Sequence, residues 1–157
     1  MAGQIYLTRD GYQKLVDQLG FLKTTERQRI AKAIGEARAQ GDISENAEYD
    51  AAKDAQAYNE VRIVGLEEKL ADVSFIEDMK IPADKIFIGA KVKLKDLDSG
   101  QEIRYMLVSS EEAEFGEDRL SVFSPIGQGL LKHQVGDEVA IAVPAGKKKF
   151  KVLEIKR

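Results

Sequence analysis

Four carboxylates fall within nine residues in the stretch Gly41-Asp42-Ile43-Ser44-Glu45-Asn46-Ala47-Glu48-Tyr49-Asp50. Asp42 and Glu45 stand three apart, so both can point the same way. Hard oxygen ligands of this kind suit Mg2+, which usually takes one or two carboxylates from a protein and completes its shell elsewhere. The same spacing fits a capping box, with Asp42 as N-cap and Glu45 returning to the Asp42 backbone N–H. Acids in a first helical turn are favoured by the helix dipole, by about 0.3–1 kcal/mol each. Spacing alone favours the cap, and the two roles are compatible, because a cap that fixes the turn also orients the carboxylates. Arg38 lies one helical turn before Asp42, and Lys53 two turns after Glu45. They read as ion-pair partners of Glu48 or Asp54 on a solvated face, or as contacts for an anionic strand passing along the helices.

Other chemistry finds little to work with. The 157 residues include no cysteine, no tryptophan and one histidine, His133. That excludes a disulfide framework, a thiolate nucleophile, a Cys-based zinc site and any multi-histidine metal centre. His133 follows Leu130-Leu131-Lys132 and reads as a surface residue. Gly127-Gln128-Gly129 lacks the surroundings of a phosphate loop. Lys147-Lys148-Lys149 reads as a solubilising loop with room for a weak anion contact. The aromatics of the second half read as core residues of strands. A net charge of −3 argues against nucleic-acid binding over the whole surface.

The elements that must position the acids divide the chain near residue 80. Residues 1–78 hold no proline and carry 10 basic against 15 acidic side chains, net −5; residues 79–157 hold all three prolines, with 14 basic and 12 acidic, net +2. The expected domains are therefore 1–78 and 79–157. In the first, Thr8 is a fit N-cap, and Tyr12, Leu15, Leu19, Leu22, Ile30, Ala33 and Ala37 recur mostly at steps of three and four, with a polar interruption around Glu26. A second run places Ala52, Ala55, Asn59, Ile63, Leu66, Leu70 and Val73 likewise. Gly41 stands where a helix end favours a left-handed residue. So short a connection predicts an antiparallel coiled-coil hairpin, each arm on the order of 45 Å at 1.5 Å per residue. Its seam thins toward the turn into Ala33, Ala37, Ala47, Ala51 and Ala52, which makes a slender tip carrying charge. A dimerising coiled coil is the plain alternative.

The second half predicts strands over Ile86–Leu94, Glu102–Val108 and Leu120–Phe123, a short helix opened by Ser124-Pro125 and ending at Leu131, and a closing hairpin of Val139–Val143 with Phe150–Ile155. The fold class is α+β: the helical hairpin, then one antiparallel sheet with a short helix on one face. No apolar run approaches the roughly 20 residues of a membrane span, and no signal segment opens the chain, so the expectation is a soluble, cytoplasmic protein without a membrane partner.

Gly41 to Tyr49, followed by Ala51-Ala52-Lys53, closely resembles the tip motif of the Gre family of bacterial transcript cleavage factors. Leu7-Thr8-Arg9-Asp10-Gly11-Tyr12 and Ser121-Val122-Phe123-Ser124-Pro125-Ile126-Gly127-Gln128-Gly129-Leu130-Leu131 resemble two further family stretches, and the likeness spans essentially the whole chain. The sparse basic residues along the coil are closer to the GreA type than to the more basic GreB type. The resemblance implies a C-terminal domain similar in fold to FK506-binding proteins, docking at the rim of the RNA polymerase secondary channel while the coiled coil reaches the active centre. It implies that Asp42 and Glu45 assist a Mg2+ held mainly by the polymerase and orient the attacking water, so that backtracked RNA is cut. By the same resemblance Arg38 and Lys53 face the nascent RNA 3′ end, and Ser124, Pro125 and Ile126 lie where the domain meets the polymerase. The protein would be a monomeric cofactor of an enzyme, with no small-molecule substrate and no metal of its own. Two rivals share the fold: a channel inhibitor with an altered acidic tip, against which the intact motif speaks, and a peptidyl-prolyl isomerase or chaperone acting through the second domain.

Overall fold

A computed structural model of the chain describes residues 4–41 and 46–157. Two compact units result. One holds Tyr12–Val73, and the other joins Ile5–Gly11 to Ser74–Arg157. Compared with a cut at 78/79, the second unit gains both the opening segment and the residues just before the cut. Backbone pairing explains the gain, because β1 (Ile5–Leu7) forms a two-stranded ribbon with β2 (Val73–Phe75).

The first unit is a long helical hairpin. Its outgoing arm is α1 (Arg9–Phe21), a widened turn over Leu22–Glu26, and α2 (Arg27–Ala39); the return arm is α3 (Ala47–Leu70). The 24 residues of α3 make about 36 Å of helix at 1.5 Å per residue. Leu15, Leu22, Ile30, Ile34 and Ala37 are buried from the outgoing arm, and Ala52, Asn59 and Ile63 from the return. The seam passes through Ile34, four residues after Ile30, while Ala33 is only half-buried and Ala47 and Ala51 are exposed. The alanine-lined tip therefore narrows to Ala37 and Ala52, with Tyr49 and Ala55 packed beside them.

The polar interruption around Glu26 has a structural counterpart in the widened turn. Thr24 Oγ1 donates to the Gly20 carbonyl at 2.7 Å, a back-bond that competes with the helical ladder. The Leu22 carbonyl accepts from Asn59 Nδ2 at 3.0 Å across the seam. Arg27 clasps Glu60 through Nε at 3.0 Å and Nη2 at 2.7 Å, and this pairing holds the Glu60 carboxyl below the usual carboxylate range.

The second unit is built on a five-stranded sheet ordered β5-β4-β3-β7-β6, comprising β3 (Lys91–Asp96), β4 (Glu102–Val108), β5 (Arg119–Ser121), β6 (Glu138–Val143) and β7 (Gly146–Lys156). Val92, Leu94, Leu107, Phe150 and Val152 alternate onto one face and are buried there with Leu130 of α5 (Pro125–Leu130). The other face is polar. Three expectations are corrected. The sheet is not wholly antiparallel: β5 runs parallel to β4, with Leu107 opposite Leu120, because the chain crosses over through α4 (Ser110–Ala113) before pairing. Ile86–Ile88 are not strand. Ile86 is fully buried, but its backbone bonds Lys132 and His133, and Gly89, at φ +89°, then turns the chain into β3. Lys147–Lys149 are not a loop but part of β7, facing Ala142, Ile141 and Ala140 of β6.

Candidate functional site

The hairpin turn is built by a cap that the composition of the motif only half announces. Helix α3 begins at Ala47 with Asn46 in extended conformation as its N-cap, and the Asn46 Oδ1 accepts the Tyr49 N–H at 3.1 Å. The other end of the same amide, Nδ2, donates to the Ala37 carbonyl at 2.6 Å, in the last turn of α2. One side chain thus satisfies an orphan donor of one helix and a terminal acceptor of the other. Gly41, at φ +140°, lets the chain leave α2 in a backbone conformation that glycine alone adopts freely.

Asn46 is thus the N-cap of α3, and the capping-box reading, which rests on Asp42 and Glu45, falls outside the described residues. An amide at 46 can bridge the two helices because it donates and accepts at once, whereas a carboxylate only accepts. Asp42 and Glu45 themselves lie outside the described residues. Among the described residues, no group of three or more His, Asp or Glu side chains is placed to hold a metal ion.

The flanking basic residues have local partners. Arg38 is exposed at the end of α2, its guanidinium 5.8 Å from the centre of the Tyr49 ring, a cation–π distance. Lys53 Nζ donates to Gln56 Oε1 at 2.8 Å. Both sit on the arms that flank the turn, and their cationic heads are held by neutral partners.

The second predicted patch opens α5. Ser124 is its N-cap: Oγ accepts the Gly127 N–H at 3.0 Å and donates to the Ser121 carbonyl at 2.7 Å. Pro125 follows in the first turn and is exposed. A Cβ at residue 127 would overlap the Ser121 carbonyl, so only glycine lets the helix approach this closely. Ile126 packs against the core. The hydroxyl of Ser124 and the side chain of Ile126 are therefore occupied within the domain, and Pro125 presents itself outward. Phe123, read as a strand-end core residue, is 68% exposed. The signal available was its place beside a Ser-Pro helix start, where a strand must already have ended.

His133 is also better supported than its sequence neighbours suggest. Its Nδ1 lies 3.1 Å from Asp137 Oδ2, and the same carboxylate accepts the Gln134 N–H at 2.9 Å. Those bonds, the backbone one foremost, hold the Asp137 carboxyl below its usual range. They close a surface turn between α5 and β6.

Comparison with known proteins agrees with this architecture in both halves. Residues 5–74 match the family described as transcription elongation factor, N-terminal (GreA_GreB_N), and residues 81–157 match transcription elongation factor, GreA/GreB, C-term. The chain is 48% identical over 156 residues to transcription elongation factor GreA of Chloroherpeton thalassium, with 99% of each chain covered. It is 46% identical to that of Chlorobaculum parvum, covering 99% of this chain and 98% of the relative. The GreA of Christiangramia forsetii is 46% identical, over 97% and 96% respectively. Among solved structures, GreA factor homolog 1 (Gfh1) of Thermus thermophilus aligns over 99% of this chain and 100% of its own, at 30% identity and a TM-score of 0.44. With both halves matched in order and nearly half of all residues identical across full-length relatives, the chain belongs to the GreA/GreB family of transcription elongation factors.

Proposed function

We propose that this protein inserts its helical hairpin into the secondary channel of bacterial RNA polymerase and stimulates the polymerase's own cleavage of backtracked RNA, so that arrested complexes resume elongation. The observation that carries this reading is the Asn46 bridge. It ties the ends of both helices at the turn. In this reading Asp42 and Glu45, on the connection between the two helices, serve chemistry on a partner.

Asp42 and Glu45 would supply one or two oxygen ligands to a Mg2+ shared with the polymerase, which is the share this ion usually takes from a single protein. Bound there, the ion supplies Lewis-acid stabilisation and a nucleophilic water to phosphodiester cleavage. The chain's own part is to deliver these carboxylates between the tied ends of α2 and α3. Arg38 and Lys53 add positive charge on the flanking arms, where an RNA 3′ end would pass. Phe123 and Pro125 form an exposed apolar corner, and Ser124 holds it in place. That corner is the polymerase-docking surface in this reading. On the same reading the protein works in the cytoplasm, with one copy of the factor per polymerase.

The deciding experiment adds the protein to a stalled, backtracked polymerase in Mg2+ and follows release of short 3′ RNA fragments. The native chain releases fragments, while Asp42→Asn and Glu45→Gln abolish release and keep polymerase binding within a few-fold. A native chain that slows elongation without releasing fragments would instead make it an inhibitor of the channel.

A further inference from the structure

The polar face of the second unit's sheet carries a charge pattern that neither the hairpin tip nor the docking corner uses. Strand alternation places Lys91, Lys93 and Lys95 of β3 on this face, opposite the buried Val92 and Leu94. Pairing adds Arg104 of β4 beside Lys93, and Lys156 and Lys151 of β7 beside Lys91 and Lys95. The opposing acids on these strands are Glu102, Glu138 and Glu154. Lys93 pairs with Glu102 at 3.3 Å, and Glu154 is shared by Lys156 at 3.0 Å and Arg104 at 4.0 Å. Among the described residues Lys91, Lys95 and Lys151 form no ion pair. The centre of the face is a groove of about 530 Å³, where Lys91, Lys93, Arg104 and Lys156 stand with the acids Asp118 and Glu154 around Tyr105 and Met106. In a chain of net charge −3 this concentration of positive charge is local.

We infer that this open sheet face is a binding surface for single-stranded RNA, held through its sugar–phosphate backbone without regard to sequence. Charge complementarity points to an anionic partner, and the residue types select among anionic partners. Protein interfaces are enriched in aromatic, Met and Arg anchors and depleted in Lys. Here the sheet face carries more lysines than any other charged residue, and Tyr105, the one aromatic of the groove, is half-buried against the core and does not stand exposed. Phosphate contacts need only cations at intervals, and lysines at alternate positions of a strand recur about every 6.8 Å, with neighbouring strands about 4.8 Å apart. The groove has room for a nucleotide-sized segment and not for a duplex. Glu154 and Asp118, set among the cations, are acceptors that a ribose 2′-OH can satisfy and a deoxyribose cannot.

Fluorescence anisotropy with a labelled 15-nucleotide RNA of mixed sequence and the full-length chain tests this. Binding is expected at 50 mM salt and weakens steeply by 200 mM, with a log–log slope of about −2 to −4 for three to five neutralised phosphates. Lys91→Glu with Lys95→Glu weakens binding at least tenfold. Lys23→Glu with Lys32→Glu, the same change in charge on the first unit, leaves it within about twofold. The inference is overturned if the native chain shows no binding at 50 mM salt, or if both double variants lose affinity equally. It is equally overturned if single-stranded or duplex DNA of the same sequence binds as tightly, or if polyglutamate displaces the RNA at matched charge concentration. Circular dichroism confirms that each double variant is folded.

Discussion

Thr8 and Glu112 are joined twice: the Thr8 N–H donates to Oε1 at 2.9 Å and the Thr8 hydroxyl to Oε2 at 2.8 Å. Glu112 is fully buried, and its remaining partner is Arg119, with Nη1 at 3.1 Å. The Thr8 hydroxyl also accepts the Gly11 N–H at 2.9 Å, so the N-cap of α1 and the carboxylate form one network. A Cβ on Gly11 would overlap the Glu112 carboxylate, and this is why a glycine can stand in a first helical turn here. Glu112→Ala leaves the buried Thr8 hydroxyl without its acceptor and Arg119 with Asp10 alone, at 3.3 Å, and is expected to destabilise the chain by about 3 kcal/mol. Chemical denaturation reads the loss directly. Thr8→Val should show a smaller loss, because Arg119 still neutralises the carboxylate.

Asn59 is buried in the seam and gives its Nδ2 to the Leu22 carbonyl, while its Oδ1 is buried without a partner among the described residues. A buried amide of this kind fixes the register of paired helices at some expense of stability. Asn59→Ala abandons the Leu22 carbonyl in an apolar seam, and a loss of about 1–3 kcal/mol is expected in the denaturation midpoint. Hydrogen exchange of the residue 20–30 amides should accelerate alongside it.

Replacing Asn46 by Ala removes the N-cap and the bridge to Ala37 together. Loss of an N-cap costs about 1 kcal/mol, too little to unfold the hairpin. If the proposed function holds, transcript cleavage falls more than stability does, because the turn bearing Asp42 and Glu45 loses its tie to α2. Asn46→Asp separates the two roles. It keeps the cap to Tyr49 but cannot donate to Ala37, so stability should recover more than cleavage.

Acid titrates a different contact. The Asp96 carboxylate accepts the N–H groups of Asp98 and Ser99 at 2.9 and 3.3 Å. These bonds, first the one from Asp98, with Lys148 adding to them, hold its carboxyl below the ordinary range. A depressed folded-state pKa contributes stability that is fully present above the unfolded value of about 4 and is lost as pH falls through the folded value. Asp96→Asn should therefore be less stable than the native chain at pH 7. Denaturation midpoints of the two proteins should converge as the pH is lowered below about 4.

Much of this protein was legible in local patterns. The two helical runs, the Thr8 cap, the Ser124-Pro125 helix start, the strand over Glu102–Val108 and the charge difference between the halves each follow from residues close together in the chain. So does the place of the acidic turn, because two helices joined by a short connection must fold back. Tertiary structure decided what depends on partners distant in sequence. The parallel pairing of β5 with β4 turns on a crossover that alternation cannot reveal. Glu112 looks like one more surface acid until Thr8, 104 positions away, fills it. Phe123 and the lysines of β7 were misjudged for one shared reason: hydropathy says what a side chain prefers, while the sheet decides which face it occupies. At the tip, only the meeting of α2 and α3 showed that Asn46 caps one helix and ties it to the other. An amide that must donate to one helix and accept from the other has a role only when both are present.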